Sequence, residues 1–109
     1  MKKIYRLQKS WEFENVIKTK NQVFDKNLII YFKPSDNFKI GITVPKKFCN
    51  AVYRNYCKRQ LKSIINSLNF YNLKYHMVMI VRKNFLSISY AEKLEKTRKL
   101  FEKIQHGKK

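Results

Sequence analysis

The sequence predicts a single-domain α+β sandwich in the order αβββαβα, with one mixed four-stranded sheet. Three observations carry this. "NLIIYFK" and "FKIGITV" are rich in β-formers and place alternate residues on opposite faces. "YHMVMIVRK", Tyr75 to Lys83, is nearly continuous apolar sequence, as expected of a strand internal to a sheet. Two long segments opened by good capping residues carry apolar side chains three and four apart. A chain of 109 residues, 44% hydrophobic, suits one domain, 1–109, with a real but modest core.

In chain order, Ser10 is the expected N-cap of a short helix ending near Lys20, with Glu12 and Glu14 near its N-terminus. Trp11, Phe13, Val16 and Ile17 fall on one side of it. Gln22 to Phe24 reads as a brief strand. In the next strand Leu28, Ile30 and Phe32 share one face, and Ile29, Tyr31 and Lys33 the other. Pro34 to Asn37 reads as a turn, so this strand and "FKIGITV" are expected to form an antiparallel hairpin. In the latter, Phe38, Ile40, Ile42 and Val44 oppose Lys39, Gly41 and Thr43. Asn50 caps a helix running to about Leu68. "SYAE" at Ser89–Glu92 matches a capping box, Ser at the N-cap and Glu at N3. The helix it opens carries a core-facing stripe of Tyr90, Leu94, Thr97, Phe101 and Ile104, and residues 105–109 form a basic C-terminal tail.

Twenty-five Lys and Arg against seven Asp and Glu give a net charge of +18. Such self-repulsion opposes folding unless a polyanion relieves it, and nucleic acid is the commonest. A membrane is not the expected partner, because no apolar run approaches the roughly 20 residues that span a bilayer. "MKKIYRLQKSWEF" has a basic start but no apolar signal core, so a cytoplasmic location is expected. Cys49 and Cys57 lack a second ligand pair for zinc and are expected to be reduced thiols.

The charge is concentrated. There is no Asp or Glu between Asp36 and Glu92. Stepping 100° per residue, Arg54, Asn55, Lys58, Arg59 and Lys62 fall within an arc of roughly 140°. Tyr53, Tyr56, Cys57, Leu61 and Ile64 take the opposite side, expected to dock on the sheet. A merely solvated helix face usually interleaves acids, since like charges one turn apart repel. None is interleaved here, and Lys46 and Lys47 extend the row just before the helix. The pattern is that of a phosphate-binding face.

A DNA recognition helix would sit in a helical domain and offer base-reading side chains, so DNA is not the expected target. Ile29, Tyr31 and Lys33, beside Phe13, form instead an apolar and aromatic groove edged by cations, which suits unstacked single-stranded RNA. Catalysis by the chain itself is not expected. His76 sits in an apolar strand and His106 in the basic tail, each without a nucleophile or carboxylate in a triad-like pattern. No acidic pair suggests a metal-dependent nuclease centre.

"IGITVPKKFCNAVYRNYCKRQLK", Ile40 to Lys62, resembles the signature of the bacterial ribonuclease P protein subunit. Its usual form is a Gly-hydrophobic-Ser-Val-Ser-Lys-Lys strand, then Gly-Asn-Ala-Val, then Arg-Asn-Arg-x-x-Lys-Arg-x-x-Arg. The similarity continues through "RLQKSWEFENVIK", "MVMIVRK" and "SYAEKLEKTRKLF", nearly the whole chain. The resemblance implies that Arg54, Asn55, Lys58 and Arg59, with Lys62 in place of the last Arg, dock against a catalytic RNA. Lys46 and Lys47 match the family's lysine pair. Phe13, Ile29, Tyr31 and Thr43 match positions lining a cleft for the 5′ leader of precursor tRNA, where Ile17 stands in place of an aromatic and Lys33 adds a cation. Tyr56 replaces the second Arg of the Arg-Asn-Arg triplet, Pro45 a Ser and Cys49 a Gly.

The resemblance further implies a ribosomal-protein-like two-layer fold with a left-handed β-α-β crossover, against the general right-handed rule. The implied function is that of an auxiliary subunit of an endonuclease that removes 5′ leaders from precursor tRNAs. The RNA subunit would hold the required Mg²⁺, and the protein would bind no cofactor firmly. Expected partners are the catalytic RNA and precursor tRNA, with no membrane, no DNA and no obligate protein partner. The rival from another class is a structural ribosomal RNA-binding protein, and a third reading is an autonomous nuclease.

Overall fold

The computed structural model describes residues 5–48 and 50–107. Along them run α1 (Ser10–Lys18), β1 (Gln22–Phe24), β2 (Leu28–Pro34), β3 (Lys39–Thr43), α2 (Ala51–Leu68), β4 (Tyr75–Val81) and α3 (Tyr90–Gly107). Short 3-10 turns at Lys46–Phe48 and Lys83–Ser87 precede α2 and α3. The order is the one the sequence predicts. Cys49 lies outside the described residues, as do 108 and 109 of the basic tail, whose residues 105–107 continue α3.

The start of α1 differs from expectation. Lys9, not Ser10, is the N-cap, and the capping group is the Glu12 carboxylate. Its Oε1 accepts from the backbone N–H of Gln8 at 2.8 Å and of Lys9 at 3.0 Å. Those two bonds favour the ionised form and hold the Glu12 carboxyl below its usual range. The helix stops at Lys18, two residues early, because Lys20 turns into the left-handed region at φ 60. Asn50 and the Ser89–Glu92 box behave as the sequence predicts. Asn50 Oδ1 accepts from Tyr53 N–H at 2.9 Å. Ser89 Oγ accepts from Glu92 N–H at 3.2 Å, and Glu92 Oε1 from Ser89 N–H at 3.1 Å. Asn69, at φ 56, closes α2.

The strand order is β1-β2-β4-β3. β2 pairs with β1 and β4 antiparallel, and β3 pairs with β4 in parallel. The expected β2–β3 hairpin therefore does not form, because β4 lies between the two strands. Two things account for this. β4 is apolar on both faces and gains most from an interior position. The Pro34–Asn37 turn also bonds to the start of β4 rather than closing on itself. Ser35 N–H donates to Lys74 O at 2.9 Å, and His76 Nε2 lies 2.9 Å from Asn37 Oδ1.

The alternating faces divide the molecule. Leu28, Ile30 and Phe32 of β2, with Ile40 of β3 and Met77, Met79 and Val81 of β4, are buried in the main core. There they meet Cys57, Leu61, Ile64 and Ile65 of α2 and Leu100, Phe101 and Ile104 of α3. This is the two-layer sandwich. α1 crosses the opposite face, where Val16 and Leu7 bury Val78, with Phe13, Tyr31 and Ile80 packed around them. In α3, Lys93 is buried beside Thr97, its ammonium donating to Gln60 Oε1 at 2.7 Å. Tyr90, placed in the core stripe from sequence, is instead 40% exposed and donates its hydroxyl to Ser63 Oγ.

Candidate nucleic-acid interface

The basic helix face is positioned by its own apolar side. Burial of Cys57, Leu61, Ile64 and Ile65 against the sheet turns Asn55 and Arg59 fully outward and leaves Arg54, Lys58 and Lys62 half-exposed. Lys46 and Lys47 are exposed in the 3-10 turn before it. Five of the seven carboxylates are engaged elsewhere. Glu12 and Glu92 cap helices, Asp25 accepts from the N–H groups of Asn27 and Leu28, and Glu95 and Glu102 hold Arg98 on α3. Among the described residues, none of the α2 cations has an ion-pair partner.

Tyr53 and Tyr56 depart from expectation. No residue of 51–56 is buried, since the apolar side of α2 meets the core only from Cys57 onward. The two tyrosines are exposed and stack on each other, with centroids 5.9 Å apart and planes 25° apart. Tyr53 OH donates to Leu86 O at 3.4 Å, and Tyr56 OH accepts from Gln60 Nε2 at 3.2 Å.

On the α1 face, register arranges the groove residues in rows across three strands. Ile29, Ile80 and Thr43 form one row, Tyr31, Val78 and Gly41 the next, and Lys33, His76 and Lys39 the third. Successive rows are about 7 Å apart. α1 lies over the middle row, with Phe13 against Gly41 and Ile17 one helical turn further on. Ile29 and Ile80 stay half-exposed and Thr43 exposed, so the first row is an open floor beside α1. Phe13 and Tyr31 thus meet around Val78, with Ile29 and Thr43 in the adjoining row, whereas Lys33 stands one row beyond Tyr31 and Ile17 is exposed one turn of α1 from Phe13.

Sequence reading passed over Ile80, whose place in an even-numbered alternation opposite Met79 and Val81 is its only signal. Ile80 also lines a depression of about 400 Å³ rimmed by Lys26, Lys47, Arg82 and Lys83. Arg82 is steadied there by donating to Asp25 O at 3.2 Å. His76, in the third row, has its pKa lowered by burial first and then by Lys39 and Lys33, with Glu12 acting in the opposite sense. Among the described residues no His, Cys, Asp and Glu side chains gather in a group of three or more that could hold a metal ion. No helix among them is long and apolar enough to cross a membrane.

A family model described as Ribonuclease P matches residues 1–105. The chain belongs to the ribonuclease P protein family. It is similar to the ribonuclease P protein component of Mycoplasma mobile, 48% identical over 108 residues, covering 99% of this chain and 96% of the relative. It is also similar to that of Mycoplasmopsis synoviae, 50% identical over 101 residues, covering 93% and 90%. Among solved structures, the Staphylococcus aureus RNase P protein superposes with TM-score 0.84 at 23% identity, covering 93% of this chain and 95% of the other. The Thermotoga maritima RNase P protein gives 0.76 at 23% identity, covering 87% and 93%. These two likenesses establish the ribonuclease P protein fold. As a family member, the chain is a protein component of the ribonuclease P ribonucleoprotein endonuclease, and the ribosomal-protein reading falls away.

Proposed function

We propose that the protein binds the catalytic RNA of ribonuclease P through α2 and the 5′ leader of precursor tRNA through the groove beside α1. Docking uses Lys46, Lys47, Arg54, Asn55, Lys58, Arg59 and Lys62, whose side-chain donors meet RNA phosphates. The observation that carries the reading is the adjacency of two unlike surfaces on one small domain. One is an acid-free cationic helix face. The other is the row Ile29–Ile80–Thr43, with two half-exposed isoleucines, beside Phe13 and Tyr31. The first suits a phosphate backbone, and the second suits unstacked bases. Lys33, at one end, and the Lys26–Arg82–Lys83 rim, at the other, supply cations for the leader's phosphates.

The chemistry belongs to the RNA subunit, with Mg²⁺ held there and water as the nucleophile. The protein extends the contact surface along the leader and screens repulsion between two polyanions. Reconstitution tests this directly: precursor tRNA and a bacterial ribonuclease P RNA at low magnesium, with and without the protein. The expected result is restored 5′ cleavage with the protein present and none with the protein alone. Cleavage by RNA-free protein that survives nuclease treatment of the preparation would overturn it.

A further inference from the structure

Tyr53 and Tyr56 form a surface that phosphate binding by α2 does not explain. Their rings stack in the open, and each hydroxyl is tied down separately. Tyr53 OH donates to the backbone of Leu86, in the turn before α3. Tyr56 OH accepts from Gln60 Nε2, and Gln60 Oε1 accepts in turn from the buried Lys93 ammonium at 2.7 Å. Two exposed rings are thus anchored to α3 and to the turn that precedes it. Core packing does not account for this. Tyr56 is 46% exposed, and Val52, one helical turn before it, is 79% exposed. Val52, Tyr53 and Tyr56 make a contiguous apolar patch that is both open and rigid, the mark of a binding surface.

We propose that the Tyr53–Tyr56 stack is a platform for one unpaired nucleobase of the catalytic RNA. Rings already fixed in place avoid the ordering cost that mobile side chains add to binding. Their π faces suit an extruded base of any identity. Charge selects the occupant. α2 and the Lys83–Ser87 turn contain no carboxylate, and the exposed Arg59 lies one turn beyond Tyr56. A base on Tyr56 brings its phosphate toward that guanidinium. A second copy of the chain, at +18, would set like-charged faces against each other. The leader is not the source, because α2 packs on the main-core side of the sheet and the leader groove lies on the other. Beside Tyr53, Leu86 joins Lys83, Asn84 and Ser87 in lining an open depression of about 490 Å³, room for a neighbouring nucleotide. Where the family's usual triplet has an Arg, Tyr56 exchanges a charge for a stacking face. The RNA as occupant rests on the proposed docking of α2, whereas the fixed, exposed stack does not.

The test is titration of the cognate ribonuclease P RNA over a range of salt concentrations with the wild type, Tyr56→Ala, Tyr56→Trp and Arg59→Ala. Tyr56→Ala should lose about tenfold in affinity at every salt concentration, with an unchanged log–log slope, because a stacked base releases no counterion. Tyr56→Trp, which keeps and widens the face, should bind at least as well as the wild type. Arg59→Ala should lower the slope instead. Unchanged affinity of Tyr56→Ala overturns the platform, and so does a loss that comes with a smaller slope, since the ring would then act only by placing cations. Nitration of tyrosines in the wild type, mapped by mass spectrometry, needs no variant to fold. The RNA should protect Tyr53 and Tyr56, and equal modification of Tyr56 with and without RNA overturns the platform. Sedimentation of the free protein reads the other occupant: a dimer that Tyr56→Ala abolishes assigns the patch to a second copy and overturns the proposal. A wild type without affinity for the RNA sinks the proposed function. Intact binding with a normal Arg59 effect and a silent Tyr56→Ala sinks the platform alone.

Discussion

The ring of Phe13 stands in the space that a side chain at residue 41 would need. A Cβ on Gly41 would overlap Cε2 and Cζ of that ring, which lies directly on the backbone of β3. Helix α1 and strand β3 are thus held in contact by one aromatic ring and one absent methyl group. Gly41→Ala should displace the ring and destabilise the fold by about 1–3 kcal/mol, as overpacking usually does. Chemical denaturation gives the value. In a Phe13→Ala background the added methyl has room, so the penalty should largely vanish. A penalty of equal size in both backgrounds would rule out this contact as the cause.

Tyr31→Ala should weaken binding of precursor tRNA by the assembled holoenzyme by roughly 1–3 kcal/mol, the range for a lost base–aromatic stack. Leaderless tRNA should bind as before. Because Tyr31 also packs beside Val16 and Val78, circular dichroism must first show a folded variant. Tyr31→Phe should be nearly silent. An equal penalty on leaderless and long-leader substrates would remove Tyr31 from the leader's path.

Arg59→Ala should leave stability unchanged, since the side chain is exposed and unpaired among the described residues. Affinity for the catalytic RNA should fall. The slope of log affinity against log salt should shrink by about one unit if one phosphate contact is lost. An unaltered slope would mean that this part of α2 faces solvent in the complex.

His76 makes stability depend on pH. Its pKa is lowered in the folded state, chiefly by burial and then by Lys39 and Lys33, with Glu12 opposing. The unfolded chain therefore binds the proton more tightly. Stability should fall as pH drops below about 6.5 and level off once the folded-state value is passed. The Glu12 carboxyl, also lowered, adds stability that is lost only in the more acidic carboxylate range. Thermal melts between about pH 8 and pH 5 should show the histidine step in the wild type and not in His76→Gln. A step of the same size in the variant would assign it to another group.

Local signals in this sequence were legible and relations across the chain were not. Asn50, Ser89 and Glu92 act through neighbours three residues away, so their capping roles follow from the residues themselves. The acid-free arc of α2 follows equally from helical period alone. The expected β2–β3 hairpin does not form because strands adjacent in sequence are not adjacent in the sheet. The strand that separates them arrives only at Tyr75. Tyr53 and Tyr56 lie on the apolar side of α2 yet outside the core, because period gives the side of a helix and not how far along it the sheet extends. The Phe13–Gly41 contact joins segments more than twenty residues apart, which no local pattern encodes.

The position of β4 between β2 and β3 also sets the order of events during synthesis. The β1–β2 ribbon can form as soon as it leaves the ribosome, but β2 and β3 cannot be joined until residues 75–81 emerge. Until then the nascent chain carries two open sheet edges, the kind of surface that pairs with other chains. Most of the +18 charge is already present in that interval, and mutual repulsion between chains guards those edges. The charge that fits the finished domain to RNA also keeps the unfinished domain apart from its copies.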